Sequence, residues 1–77
     1  MITAAEIESR IRLNLQPTSL EVIALSEEDR KYSVAIVSEK FKDVSLIKRH
    51  RMVNDLFKEE LLSGDIHALT ISANAPC

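Results

Sequence analysis

Glycine occurs once in this chain, at Gly64, cysteine once, at Cys77, and tryptophan not at all. A single cysteine forms no intramolecular disulfide and no local Cys/Cys or Cys/His zinc pattern, so a metal bound here must take ligands from a partner. One glycine leaves no phosphate-binding glycine loop. Aromatic residues are only 4% of the composition, which removes the platform on which single-stranded nucleic-acid binders stack bases. No apolar run approaches the roughly 20 residues that span a bilayer. Glu6 and Glu8 also sit where a signal or transit peptide carries only positive charge. A cytoplasmic protein is expected, with the nucleus as the alternative location. Ser/His/Asp, Cys/His and paired-carboxylate arrangements at catalytic spacing are missing too, so no enzymatic activity is expected.

What is present is the material of a small globular domain: 77 residues, 45% hydrophobic and 29% charged, with a net charge of -2. One domain over residues 1–77 is expected. A chain this short buries roughly 60% of the surface its unfolded form exposes, which leaves no room for both a large core and a deep cleft. Charge is uneven along it. Residues 39–58 carry an excess of lysine and arginine, whereas Glu59, Glu60 and Asp65 make the last segment acidic.

Thr3 followed by Glu6 reads as a capping box, and Ile7, Ile11 and Leu15 recur on one helical face, with Glu6/Arg10 and Glu8/Arg12 as i,i+4 pairs. The helix should end near Leu15, before Pro17. The runs from Ser19 to Leu25 and from Tyr32 to Ser38 read as two antiparallel strands around a solvated loop, SEEDRK. Asp43 or Ser45 caps a second helix that runs to about Leu62, closed by Gly64. A third strand follows from Ile66 to about Ala73. The order α-β-β-α-β implies an α+β fold with helices packed on one face of a three-stranded sheet.

Within the second helix lies LIKRHRMVND, in which Lys48, Arg49, His50 and Arg51 stand side by side. Successive helical residues turn by about 100°, so this run cannot form one basic patch. Leu46, Val53, Phe57 and Leu61 define the stripe expected to be buried, with His50 inside it. Arg49 falls on the flank, while Lys48 and Arg51 face water.

Phe41, the run from Leu46 to Asn54 with its Arg49-His50-Arg51 triplet and Val53-Asn54, and then Ile66-His67-Ala68 together resemble the BolA family. The resemblance spans nearly the whole chain and is nearest to the cytosolic eukaryotic branch. It implies a fold similar to a class II KH domain. It also implies a binding and regulatory module that pairs with a monothiol glutaredoxin in iron-sulfur trafficking or iron sensing. In that pairing a [2Fe-2S] cluster is held between the two proteins, His67 supplies one ligand, and the glutaredoxin cysteine and a glutathione supply thiolates. No cofactor is expected in the isolated protein, which should be a monomer when alone. Phe41, Arg49, Arg51 and Asn54 are the expected partner-binding residues.

Three departures from the family pattern stand out. The loop from Ser26 to Lys31 has no cysteine or histidine, so the remaining ligand would come from an acid such as Asp29, a harder donor than sulfide clusters favour, or from Cys77. Asp43 stands where the family usually has glycine, and is expected to shift the turn into the second helix. Ala75 precedes Pro76 where the family usually has threonine. The alternative function is nucleic-acid binding or transcriptional regulation through a KH-like surface. The absence of a GxxG loop and the negative net charge argue against it.

Overall fold

The computed structural model describes residues 2–76, so Cys77, a candidate ligand above, lies outside the described residues. The elements in chain order are α1 (Ala4–Leu15), β1 (Ser19–Ser26), β2 (Lys31–Val37), a 3-10 turn at Glu39–Phe41, α2 (Leu46–Leu56), α3 (Lys58–Ser63) and β3 (Ala68–Asn74). No helix among them is long and apolar enough to cross a membrane.

α1 opens with Thr3 Oγ1 accepting from the Glu6 amide at 3.2 Å. It buries Ile7, Ile11 and Leu15, and it ends at Gln16 in the left-handed region. Of its two expected ion pairs, only Glu8–Arg12 forms, at 2.9 Å. Arg10 instead crosses to Glu60 at 2.6 Å, with its guanidinium over the Phe57 ring, 5.1 Å from the centroid.

The sheet has the order β1-β2-β3, with β1 antiparallel and β3 parallel to the central β2. Strict alternation along β2 buries Tyr32, Val34 and Ile36 on one face and leaves Lys31 and Ala35 exposed on the other. The buried face joins Ile7, Ile11, Leu15, Phe41, Val53, Phe57 and Ile66 in a single core. The observed architecture is therefore the expected α+β layer.

The second helix differs from expectation. It is two helices, broken at Phe57, whose φ of -119° and ψ of 21° are not helical. The break frees the Leu56 carbonyl, which accepts from Arg10 Nη1 at 2.9 Å, and it sinks the Phe57 ring fully into the core. At the other end Ser45, not Asp43, is the cap: its Oγ accepts from the Lys48 amide at 3.3 Å. Asp43 keeps the left-handed conformation that glycine would favour, with φ of 60°. Leu46, expected in the buried stripe, is 59% exposed, because the first turn of α2 overhangs the core.

Candidate functional site

His67 does not lie within a strand. It occupies the bend between α3 and β3 and is exposed. The reason is local. Gly64, with φ of 87°, ends α3, and both its amide and that of Ile66 donate to the Glu60 carbonyl, at 3.1 and 3.0 Å. This closing turn points Ile66 into the core at 0% exposure and leaves the next side chain, His67, facing out. The His67 amide then donates to the Arg30 carbonyl at 2.8 Å, one step before the ladder begins at Lys31 and Ala68. That bond sets the β1–β2 loop beside the histidine.

The loop it touches carries Glu27, Glu28 and Asp29, all exposed. It is shaped by two bonds: Ser26 Oγ accepts from the Asp29 amide at 3.2 Å, and the Glu27 carbonyl accepts from the Arg30 amide at 3.3 Å. Asp29 and His67 therefore sit on adjacent loops. Even so, no group of three or more His, Cys, Asp or Glu side chains that could hold a metal forms among the described residues. The described donor set therefore does not fit a metal held by this chain alone, and His67 could serve as one ligand of a site completed from outside it.

The turn that presents His67 is braced from below. Arg10 makes a paired contact to both Glu60 oxygens, at 2.6 and 3.3 Å, across from α1. The hydrogen bond from Arg10 holds the Glu60 carboxyl below the usual carboxylate range, and the pairing raises the arginine in turn. Arg10 is a residue that sequence reasoning missed in this role, since its visible i,i+4 partner was Glu6.

The expected partner-binding residues fall into two groups. Arg51 and Asn54 are exposed on α2, where a partner can reach them. Phe41 is fully buried at 0% exposure and belongs to the core, so it cannot touch a partner directly. Arg49 is half-buried and already engaged: its Nε donates to the Val44 carbonyl at 2.8 Å and its Nη1 to the Ala73 carbonyl at 3.1 Å. It ties α2 to β3, and these two bonds hold its guanidinium against the fold with three N–H donors left over. His50 is half-buried, as the helical geometry implied. Arg49 meets β3 at the end opposite His67, about 20 Å away for a strand of this length.

A family model described as BolA-like protein matches residues 11–77. A BolA-like protein of Dictyostelium discoideum is 37% identical over 78 residues, covering 92% of this chain and 68% of that protein. Protein BOLA2 of Arabidopsis thaliana is 40% identical over 72 residues, covering 92% and 75%. The crystal structure of a bol-like protein from Babesia bovis superimposes with a TM-score of 0.89 at 31% identity, over 99% of this chain and 87% of that one. A small α+β module whose one exposed histidine follows a glycine-closed helix is thus the class defined here. The chain belongs to the BolA-like family.

Proposed function

We propose that this chain is a binding and regulatory module that pairs with a monothiol glutaredoxin in the cytoplasm. It contributes His67 to a [2Fe-2S] cluster shared between the two proteins, and it carries out no catalysis of its own. The observation that carries this reading is His67 itself: an exposed imidazole on a backbone fixed by hydrogen bonding, beside the acidic β1–β2 loop. A neutral imidazole is a good iron ligand, and a cluster with histidine in place of one thiolate carries less negative charge, which raises its potential relative to an all-cysteine site. The chain's own part is to present the ring to solvent and to dock the partner through exposed residues such as Arg51 and Asn54. Charged contacts of that kind act mainly on association rate and partner choice.

The test is to reconstitute the pair with iron, sulfide and glutathione and to compare visible circular dichroism of the wild type and His67→Ala. Loss or replacement of the mixed-ligand spectrum is expected. An unchanged spectrum in the variant would remove His67 from the ligand set.

A further inference from the structure

Arg30 is the last residue of the β1–β2 loop, and its backbone and its side chain are both committed to the segment that carries His67. Its carbonyl accepts from the His67 amide at 2.8 Å and, more weakly, from the Ala68 amide at 3.4 Å. Its guanidinium Nη1 donates to the Gly64 carbonyl at 3.1 Å. One residue thus holds the start of the bend at Gly64 and its end at His67. It stands at φ of 56°, a left-handed conformation unfavourable for most side chains with a Cβ, at the position where the Glu27–Arg30 turn hands the chain to β2. Arg30 is exposed, so burial does not compensate. Backbone strain of this kind persists where the surroundings over-determine it. Here the hairpin turn, closed by the Arg30 amide on the Glu27 carbonyl, sets that conformation, and the conformation delivers the Arg30 carbonyl and guanidinium to the histidine-bearing bend.

We infer that Arg30 is a positioning residue for His67, clamping the Gly64–His67 bend so that the imidazole is offered to a shared cluster in one orientation. This inference rests on the proposed ligand role of His67. A ligand whose backbone is free must be ordered at each binding event, and groups that orient metal ligands from outside the coordination sphere typically change affinity by about 10- to 100-fold.

Three variants separate the two halves of the clamp. Arg30→Gly keeps the carbonyl and takes up the left-handed conformation freely, but it lacks the guanidinium. Arg30→Val lacks the guanidinium and resists that conformation, so the carbonyl is displaced as well. Arg30→Lys keeps a cationic donor. Hydrogen exchange of the free protein should show the His67 amide exchanging about tenfold faster in Arg30→Val than in the wild type, with the Val34 and Ile36 amides unchanged. In the glutaredoxin complex, cluster loss to a chelator should be roughly tenfold faster in Arg30→Val, intermediate in Arg30→Gly and partly restored in Arg30→Lys. The line shape of the reduced cluster in electron paramagnetic resonance should broaden in the same order. If His67→Ala alters the spectrum but the Arg30 variants lose the cluster at the wild-type rate, the positioning role is wrong and the ligand reading stands. If His67→Ala leaves the spectrum unchanged, the ligand reading itself fails, whatever the exchange data show.

Discussion

Arg10 shows what a single side chain can do when the fold brings it a partner fifty residues away. Its pair with Glu60 is bidentate and partly shielded, with side-chain exposures of 33% and 18%. Glu60→Gln should lower stability by about 1 kcal/mol, read as a shift of the urea midpoint at constant slope. Because the Glu60 carboxyl is held below its ordinary value, its contribution is present above the range where a free glutamate titrates, about 4.3. It disappears as pH falls through the lowered folded-state value. The difference between wild type and Glu60→Gln should therefore be full at pH 7 and vanish in strong acid; a difference that persists there would remove the ion pair as its cause. Sequence alone offered Arg10 only its helical neighbour Glu6, since an i,i+4 spacing can be read from a string and a contact between α1 and α3 cannot. For the same reason Phe41 and Arg49 mark the family by their spacing while their positions, one in the core and one bonded to two carbonyls, emerge only from the fold. Ser38 was also invisible as a structural residue: it is fully buried, and its Oγ donates to the Leu15 carbonyl at 2.7 Å and accepts from the Lys40 amide at 3.2 Å. Ser38→Ala should cost about 1–3 kcal/mol by leaving that carbonyl unpaired.

Elements were the most legible scale, for the physical reason that caps and periodicity are local. The strands of the hairpin lie within one residue of the expected bounds, and α1 starts at its expected cap. β3 begins two residues later than expected because the Ile66 and His67 amides are taken by Glu60 and Arg30 instead of by the ladder. The break at Phe57 could not be read, because the apolar spacing runs through it without interruption. Asp43 offers a test at this scale. Its left-handed φ disfavours a side chain by about 1–2 kcal/mol, against the roughly 0.5–1 kcal/mol of extra chain entropy that glycine loses on folding. Asp43→Gly should therefore stabilise the protein by about 0.5 kcal/mol in thermal or urea unfolding. A destabilised variant would mean that the aspartate makes a compensating contact.

At the scale of the molecule, the basic start of α2 and the exposed His67 stand at opposite ends of β3, in a body measuring 36 × 19 × 19 Å. Between them run exposed Arg51, Asn54, Lys58 and Leu62, the last 79% accessible, and this line leads from α2 to the bend that carries the histidine. In chemical-shift mapping of the apo protein with a monothiol glutaredoxin, perturbations should begin at Glu27–Arg30 and Gly64–His67 and extend along α3 to Asn54 and Arg51. A map confined to Leu46–Lys48 would place the partner too far away to share a ligand with His67. If the nucleic-acid alternative held instead, binding to generic duplex or single strands should weaken steeply with added salt.

The parallel pairing of β2 with β3 carries a kinetic consequence. The β1–β2 hairpin closes over a short loop, whereas β3 can join only after both intervening helices have folded back across the sheet. Contacts between distant parts of a chain form late, because the loop they close must first lose its freedom. The bond from His67 to Arg30 joins the hairpin to that last strand. Nascent or partly melted chains would thus lack an ordered His67, so the proposed ligand would be on offer only once the domain is complete.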